Sequence, residues 1–232
     1  MLKIEKTVTV SPEQMEIIIE GARNPMDSWD RMDSDYDESE FHYLIGENDY
    51  KLLSTLAKGG PVHAKYRRMI PVWVTLTSSF YLYKELDTYK VGTVCNSCST
   101  MHRIHAKEFT MADFSYEHLN KVERLILRYI IIKRLNHYRK KYLEDKTKPM
   151  KDVSKRAEVM KRHWWQMIQL LPSSYNQKRT YMFNYEVLHN IYHSRKNHKL
   201  DEWHTFCEWI ETLPYADLIT GKVKCHGGEY DR

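Results

Sequence analysis

The sequence predicts an α+β fold, with one domain over residues 1–232 in which a small sheet packs with helices, including long central ones. Short stretches of alternating or β-branched residues are interspersed with longer stretches of helical periodicity. Few long connectors separate these segments, and the chain contains no internal repeat. The composition, 42% hydrophobic and 29% charged, is that of a globular protein long enough to bury a core.

The N-terminal segments carry clear boundary signals. A strand, KIEKTVTV, precedes the helix SPEQMEIIIEGAR, in which Ser11 is the N-cap, Pro12 occupies the first helical position and Gln14 lies three residues after the cap. After an acidic loop, NDYKLLSTLAKGG predicts a helix that begins at the cap Asn48 and stops at two glycines.

The middle of the chain contains a strand and the longest helix. In IPVWVTLT, residues 70–77, every second residue from Ile70 to Leu76 is apolar, which places these side chains on one face of a strand. SSFYLYKELDTYK predicts a helix that starts from a serine pair. A basic amphipathic helix is predicted over residues 116–143, and we expect its apolar residues to face the core: Leu125, Ile126, Tyr129, Ile130 and Ile132.

The C-terminal segments complete the mixed pattern. A helix is predicted over residues 152–170 and ends before Pro172. QKRTYMFN predicts a strand, and YEVLHNIYHSRK and DEWHTFCEWIETL predict two further helices.

Charge, cysteine content and hydropathy narrow the function classes. The net charge of +5 suits phosphate-bearing ligands without requiring a nucleic-acid polymer as partner. Four cysteines are too few for a disulfide scaffold of this size. Because the N-terminus MLKIEKTVTV is charged and no apolar run approaches the ~18 residues of a membrane span, we expect a soluble, cytoplasmic protein.

Two groups of acidic and histidine residues imitate metal sites. Asp33, Asp35 and Asp37 resemble a calcium loop, but Glu38 stands where that loop needs glycine and Leu44 where it needs glutamate. The spacing of Glu186, His189 and His193 suits a metal, yet no glutamate follows the first histidine as in zinc proteases. The sequence therefore predicts no metal centre at either place.

The stretch YKVGTVCNSCSTMHRIH, residues 89–105, allows three interpretations. Zinc could use its two cysteines and two histidines, but only three residues separate the pairs, where structural sites usually place about a dozen. A redox pair, Cys95 and Cys98, would need a helix start that the preceding residues do not indicate. The third interpretation, a polar pocket for an anionic ligand, fits the residue types best: Thr93, Asn96, Ser97, Ser99 and Thr100, with Lys90 and Arg103 supplying charge.

The C-terminal region LLPSSYNQKRTYMFNYEVLHNIYHSRKNHKLDEW contains a Leu-Pro, a strand ending in Asn, a helix with a second Asn, an Arg, and an acidic residue beside a Trp. This order is similar to the C-terminal motif of the flavin-dependent thymidylate synthases. The matching positions are Leu171-Pro172, Asn184, Asn190, Arg195 and Glu202-Trp203.

Two further segments extend the resemblance over nearly the whole chain. AKGGPVHAKYRRMIPVWVTLTSSFYLYKELDTYK is similar to the family's histidine-containing segment with its strand and helix, and His63 falls on the flavin-site histidine. EGARNPMDSWD is similar to the family's Ala-Arg-x-Ser segment. The resemblance implies the family's fold and a homotetramer whose sites are shared between subunits. We expect Trp164, Trp165, Tyr175 and Tyr181 to lie in or near its interfaces.

Residues 88–102 are similar to the family signature Arg-His-Arg-x-x-Ser-x-Asn-Glu-x-Ser-x-Arg-Tyr, which holds flavin phosphates and the nucleotide. Lys90, Thr93, Asn96 and Ser99 keep the chemical type of their counterparts. Other positions differ from the family residue, mostly by loss of a charge: Thr88, Tyr89, Ser97, Met101, Ile168 and Glu186. Each charge-assisted phosphate contact is worth roughly 1.5–3 kcal/mol. Three outcomes are open for the lost contacts: other cations replace them, the substrate differs, or turnover is lost. The candidate replacement cations are Lys84, Lys90, Arg103 and Arg179.

The resemblance implies methylation of dUMP or a related pyrimidine nucleotide at C5, with FAD as cofactor and NADPH and methylene-tetrahydrofolate as co-substrates. The implied cofactor-binding residues are His63, Lys90, Asn96, Asn184, Glu186 and Asn190. The implied substrate-binding residues are Lys84, Glu85, Ser97, Ser99, Arg103 and Arg195. Arg195 is also the implied catalytic residue, because it would help to ionise the pyrimidine N3. The alternative is a catalytically inactive flavin- or nucleotide-binding protein on the same fold.

Helix geometry adds one expectation about Arg195. If a helix starts near Asn184, eleven residues at ~100° each bring Arg195 back to within about 20° of it, so both side chains are expected to face one pocket.

Overall fold

The structure is a computed structural model that describes residues 1–37, 42–148 and 153–222. The strands of this part of the chain are β1 (Lys3–Val8), β2 (Asp35–Asp37), β3 (His42–Leu44), β4 (Pro71–Ser79), β5 (Val94–Ser97) and β6 (Asn176–Asn184). Its α-helices are α1 (Pro12–Arg23), α2 (Glu47–Lys58), α3 (Phe80–Leu86), α4 (Thr100–Arg103), α5 (Lys121–Ile126), α6 (Ile132–Thr147), α7 (Val153–Leu170), α8 (Tyr185–Arg195), α9 (Asp201–Glu211) and α10 (Asp217–Thr220). The predicted α+β class is confirmed.

The larger sheet has four strands in the order β1-β4-β6-β5, and β2 pairs with β3 in a separate antiparallel sheet. In β4, Val72, Val74 and Leu76 are buried as predicted, because alternate side chains of a strand point to the same face. The short strands β2, β3 and β5 were not predicted. They are three or four residues long, which is too short for an alternation to stand out.

The chain divides into two compact units. Unit 1 holds the described residues of Met1–Lys3, Leu76–Asp87 and Asn96–Arg179, and unit 2 those of Ile4–Thr75, Thr88–Cys95 and Thr180–Arg232. Strands β1, β4, β5 and β6 each contribute residues to both units. That the chain is a single domain stays a prediction.

The core of unit 2 contains a series of buried aromatic rings. Tyr181 and Phe183 stack with their centroids 5.0 Å apart, Phe183 meets Phe206 at 5.9 Å, and Phe206 meets Trp203 at 5.8 Å. Aromatic side chains of this size each bury roughly 150–250 Å², so the series joins β6 firmly to α9. Tyr181 is only 1% exposed and belongs to this core, and its expected place in or near a subunit interface stays a prediction.

The core of unit 1 forms between the long helices α6 and α7. The predicted helix over residues 116–143 starts later, at Lys121 behind the cap Asn120, and a π-helical turn over Leu127–Ile131 separates α5 from α6. The buried apolar residues of this helical segment are Leu127, Ile132 and Leu135, which belong to one cluster with Met167 of α7.

Four residues expected in that core are instead exposed: Leu125, Ile126, Tyr129 and Ile130, at 38–54%. The segment carries two apolar stripes, and periodicity alone does not decide which of them meets the rest of the unit.

The start of α2 also differs from the prediction. The capping box of α1, between Ser11 and Gln14, is confirmed. The N-cap of α2, however, is Gly46 and not Asn48. The carboxylate of Asp33 accepts hydrogen bonds from the backbone N–H groups of Asn48 (2.9 Å) and Asp49 (3.1 Å), so a distant acid satisfies the amides of the first turn.

Among the helices in the described ranges, none combines the length and the apolar character that crossing a membrane requires.

Candidate functional site

In unit 2, residues 88–93 lie along helix α8. At the C-terminal end of the helix, Arg195 Nε donates a hydrogen bond of 2.9 Å to the hydroxyl of Tyr89. At its N-terminal end, Gly92 adopts a φ of +78°, and a Cβ added there would lie 2.6 Å from Asn184 Nδ2 and 3.2 Å from Val187 Cγ2. The segment therefore spans α8 from its last residue to its N-cap, and the close approach requires glycine.

Arg195 is held in an aromatic environment. Its guanidinium carbon lies 5.1 Å from the ring centroid of Trp203 and 5.7 Å from that of Tyr89. The two rings are 6.3 Å apart and inclined by 69°, and Trp203 is fully buried. Cation–π contacts at these distances, together with the hydrogen bond to Tyr89, fix the direction of the guanidinium, while the residue as a whole is only half-buried. The result is an oriented cation at the surface of the unit.

Asn184 and Arg195 lie at opposite ends of α8. The Asn184 side chain is the N-cap and accepts a hydrogen bond of 2.9 Å from Val187 N. The expectation that both residues face one pocket considered only their angle around the axis. Eleven residues also span about 16 Å along it, so the structure does not bring the two side chains together. Asn190, the second implied asparagine, is exposed on α8.

Glu186 forms a buried ion pair with Arg67 at an N···O distance of 3.9 Å. Within the described ranges, Glu186 Oε2 and Arg67 Nε have no hydrogen-bond partner. The carboxylate is thus directed to an internal cation, and its contact with a cofactor stays a prediction. His63, also implied as cofactor-binding, is exposed and packs closely beside Gly59.

The two histidines of α8 form a pair close to this ion pair. Their ring centroids are 4.4 Å apart, and His189 Nδ1 donates to the carbonyl of Ile219 at 2.7 Å. Burial lowers the pKa of His189 and of His193, and the nearby charge of Arg67 lowers both further. In the part of the chain that the structure describes, no three His, Cys, Asp or Glu side chains are grouped to hold a metal ion.

In unit 1, two of the implied substrate-binding residues, Ser99 and Arg103, line a cavity of about 480 Å³. Ser99 is the N-cap of α4, and Arg103 is the last residue of that helix. The others lie outside the cavity lining: Lys84 is exposed and Glu85 half-buried on α3, and Ser97 is exposed on β5, as is the implied cofactor residue Asn96.

Arg179, one of the cations expected to compensate for lost phosphate contacts, is already engaged. Its Nη1 donates to both carboxylate oxygens of Asp87 (2.9 and 3.0 Å), and its Nε donates to Gln177 Oε1 (2.8 Å). Its guanidinium carbon also lies 4.0 Å from the ring centroid of Tyr83. These contacts make it a structural residue of unit 1.

A second cavity, of about 610 Å³, lies in unit 2 beside Arg23. Arg23 is buried, forms an ion pair with Asp49 (2.5 Å), and donates to the carbonyls of Ser28 (3.1 Å) and Arg31 (2.9 Å). Arg23, the arginine of the segment EGARNPMDSWD, therefore holds the loop that follows α1 in place through its hydrogen bonds to Ser28 and Arg31. None of the implied site residues lines this cavity.

Sequence reasoning missed several of these side chains. Tyr89 was compared only as a replacement for a family histidine, so its bond to Arg195 had no signal in the sequence. Arg67 and Arg68 are adjacent in a 3₁₀ turn, and only the structure shows that Arg67 is the buried one. Lys107 and Lys178 line the cavity of unit 1, and neither stands at one of the motif positions that the resemblance identifies.

The fold is that of thymidylate synthase X. The chain is similar to the structure of ThyX from Helicobacter pylori with FAD and dUMP, at a TM-score of 0.58 and 15% identity over 95% of this chain and 97% of that one. It is also similar to a second H. pylori flavin-dependent thymidylate synthase ThyX structure complexed with FAD and dUMP, at a TM-score of 0.55 and 16% identity over 96% and 99%. At this identity the likeness establishes the fold alone. No protein-family model and no curated protein matches the chain.

FAD is the cofactor that the resemblance implies, and residues 90–93 fit a phosphate-bearing group. Thr93 Oγ1 is buried and has no hydrogen-bond partner within the described residues, so a bound polar group would satisfy it. Lys90 is exposed in the same segment and supplies a cation. The carboxylate of Glu186 faces Arg67, and its part in such a site stays a prediction.

Proposed function

We propose that the protein is a flavin-dependent thymidylate synthase-like enzyme. It methylates dUMP or a related pyrimidine nucleotide at C5 and uses FAD, NADPH and methylene-tetrahydrofolate. Bound FAD would supply hydride chemistry, with Lys90 and Thr93 among the residues that hold it. The observation that carries the proposal is the fixed orientation of Arg195 between Tyr89 and Trp203.

An oriented arginine suits activation of a pyrimidine ring. Its guanidinium is cationic at any working pH and presents paired N–H donors, so it stabilises negative charge that develops at N3 and the adjacent carbonyl oxygen. Tyr89 acts as a positioning residue, because the hydrogen bond to Nε sets the plane of the guanidinium. The burial of Trp203 holds the opposite side of the cation.

The test is exchange of the C5 hydrogen for deuterium in dUMP, dCMP and UMP, with flavin content measured on the same samples. Arg195→Ala is expected to abolish exchange and leave flavin content nearly unchanged. Arg195→Lys is expected to restore little, since a point charge does not reproduce paired donors. Tyr89→Phe should lower kcat roughly 10- to 100-fold, the effect of one hydrogen bond with a charged group, with little change in KM.

The matched control is Arg68→Ala, which removes an exposed arginine of the same unit. It should leave both exchange and flavin content unchanged. Undiminished exchange in Arg195→Ala would remove Arg195 from the mechanism.

The second candidate is a flavin- or nucleotide-binding protein without turnover. It is favoured by the buried pair of Glu186 and Arg67, which places an acid and its partner where the resemblance implies an arginine that contacts flavin. Flavin content without exchange of any of the three nucleotides would identify this alternative.

A homotetramer is part of the proposed function. An exposed apolar face on α5 and the following π-helical turn supports it, with side chains that are 38–61% exposed: Val122, Leu125, Ile126, Tyr129 and Ile130. Light scattering at micromolar concentration is expected to give the mass of a tetramer. A monomer would contradict sites shared between subunits.

A further inference from the structure

The two long helices of unit 1 carry a charge that the composition of the whole chain does not reveal. Together α6 and α7 contain ten lysines and arginines and three acids, which is a net charge of +7. Because the whole chain has a net charge of +5, the remaining residues carry −2. The positive charge is therefore concentrated on one pair of packed helices, which suits an anionic partner.

Part of this charge is neutralised within the helices. Glu144 pairs with Lys140 at 3.8 Å. Asp145 of α6 pairs with His163 of α7 at 3.2 Å. Two further cations have partners and are set aside: Lys155 and Arg156. Four exposed cations have no hydrogen bond or ion pair within the described ranges: Arg134, Lys141, Lys161 and Arg162.

A contact between the two helices places three of these cations near one another. The imidazole of His163 stacks on the ring of Tyr138, with the centroids 6.2 Å apart, so this part of α7 lies against the face of α6 that carries Tyr138. Arg134 and Lys141 stand four residues before and three residues after Tyr138, and therefore on the same face of α6. Arg162 is the immediate neighbour of His163 on α7.

The spacing of these cations lets their electrostatic potentials add. Arg134 and Lys141 are about 10 Å apart along the axis of α6, and the axes of packed helices lie ~8–10 Å apart. These separations are close to the Debye length of ~8 Å at physiological ionic strength. A chain of phosphates along the two helices would therefore meet a continuous positive potential.

An exposed aromatic ring lies among the cations of α7. Trp165 is 43% exposed. It follows Lys161 by four residues and Arg162 by three, so the three side chains share one face of the helix. Proteins bind single-stranded nucleic acid with this combination, because bases stack on the ring while the cations meet the phosphates.

The same helices are poorly suited to a lipid surface. A helix that lies in a membrane interface buries a broad apolar face. In α6, all of whose residues the structure describes, no large apolar side chain is exposed. In α7, which is also fully described, the exposed ones besides Trp165 are Val153 and Leu170, at its two ends. The exposed apolar face of α5 and the π-helical turn ends at Ile130, before α6 begins.

We propose that α6 and α7 bind single-stranded nucleic acid through a basic surface formed by Arg134, Lys141, Lys161, Arg162 and Trp165. The four cations contact phosphates of the strand, and Trp165 stacks on one of its bases. The inference does not rest on the proposed function, because binding a strand needs neither flavin nor turnover.

The test is the fluorescence anisotropy of labelled oligodeoxythymidine and oligouridine of about 20 nucleotides, titrated with the full-length protein at several salt concentrations. Four phosphate contacts predict a slope of about −3 for the logarithm of the binding constant against the logarithm of the salt concentration. Binding at 200 mM salt should therefore be roughly 50-fold weaker than at 50 mM. Binding of either oligonucleotide with such a slope supports the inference, and the stronger of the two distinguishes DNA from RNA. Tighter binding of a duplex of the same length would overturn the assignment to a single strand.

A four-site variant removes the cations of the basic surface: Arg134→Gln, Lys141→Gln, Lys161→Gln and Arg162→Gln. It is expected to weaken binding at least about 10-fold at low salt and to bring the salt slope close to zero. The matched control removes four exposed cations of unit 2 and changes the net charge equally: Lys6→Gln, Arg31→Gln, Lys58→Gln and Arg68→Gln. The control should keep the Kd and the slope of the wild type.

Trp165→Ala should weaken binding roughly 5- to 100-fold without changing the salt slope, and Trp165→Phe should restore most of the affinity. Light scattering separates this contact from the expected place of Trp165 in or near a subunit interface. Weaker binding by an alanine variant that keeps the wild-type mass supports the stacking contact. A changed mass would assign the ring to the interface and overturn that contact.

Competition separates the basic surface from the nucleotide site of the proposed function. Excess dUMP should not displace the oligonucleotide, and displacement by dUMP would overturn the inference. Equal losses of affinity in the four-site variant and its control would overturn it too, since net charge alone would then explain binding. Tighter binding to polyglutamate, or to vesicles of phosphatidylcholine and phosphatidylserine, would assign the surface to an acidic protein or a membrane instead. No binding of either oligonucleotide at low salt would also contradict it.

Discussion

Replacing Gly92 by alanine tests whether residues 88–93 are fixed against α8. Gly92 has a φ of +78°, where an alanine costs roughly 1–2 kcal/mol. The added Cβ would also lie 2.6 Å from Asn184 Nδ2, so the cap of α8 must shift. Loss of an N-cap costs about 0.5–2 kcal/mol. The total expected destabilisation is therefore roughly 1.5–4 kcal/mol.

Gly60 provides the matched control for the backbone contribution. Its φ is +86°, and nothing lies within 4 Å of a Cβ added there. Gly60→Ala should therefore cost only the roughly 1–2 kcal/mol of the backbone conformation. In thermal unfolding, Gly92→Ala is expected to melt a few degrees below Gly60→Ala, at roughly 2–4 °C per kcal/mol for a chain of this length.

A double-mutant cycle then identifies the contact. Asn184→Ala removes the atom that the new Cβ meets, so Gly92→Ala should cost less in that background than in the wild type. Equal melting temperatures for the Gly92 and Gly60 variants would refute the close packing of the segment on α8, as would full additivity with Asn184→Ala.

Three further predictions concern buried and exposed ionisable groups. Burial by itself would raise the pKa of Asp49, but hydrogen bonds from Ser34 and Arg23 outweigh it and lower that pKa. The contribution of Asp49 to the free energy of unfolding is therefore complete above about pH 4 and is lost as the pH falls through the folded-state pKa. Asp49→Asn should remove this pH dependence from acid unfolding. The substitution should also lower the free energy of unfolding by about 3–5 kcal/mol. The pKa of His189 is lowered by burial, so the free energy of unfolding should fall as the pH drops below about 6.5. His189→Asn keeps a donor for the carbonyl of Ile219. In urea titrations this variant should show a weaker dependence of stability on pH below about 6.5. The double serine variant of Cys95 and Cys98 should keep its fold by circular dichroism, because both thiols are exposed and unpaired.

Each of these has a control or a contradicting result. Asp30→Asn and His204→Asn change exposed groups and should leave the pH profiles as they are in the wild type. Unchanged profiles in Asp49→Asn or His189→Asn would show that other groups set the pH dependence. Unfolding of the double serine variant with release of stoichiometric zinc would restore the metal interpretation of residues 95–105.

Most helices and the longer strands could be predicted because their signals are local. The capping box at Ser11, the glycine stop after α2 and the alternation of β4 depend on residues close in sequence, and each is found in the structure. The start of α2 could not be predicted in this way. Its amides are satisfied by Asp33, which is some fifteen positions away and carries no local sign of that role.

The candidate site was predicted less completely, because its geometry depends on contacts between distant segments. Arg195 was identified from a motif, but its partner Tyr89 lies 106 positions earlier. The angular relation between Asn184 and Arg195 was correct for a helix and still misleading, since it left out the distance along the axis. The long helix carries two apolar stripes, and only its packing against α7 shows that Leu127, Ile132 and Leu135 are the buried residues.

The pair of Glu186 and Arg67 gives a physical reason why the residue at position 186 cannot be changed independently of Arg67. A carboxylate this well buried requires a partner charge, and Arg67 in the 3₁₀ turn Lys65–Met69 supplies it at 3.9 Å. An arginine at position 186 would instead place two cations together in a region from which water is largely excluded, which costs several kcal/mol. The acid at position 186 is therefore coupled to Arg67, whereas the ring contacts of Arg195 with Tyr89 and Trp203 do not involve that pair.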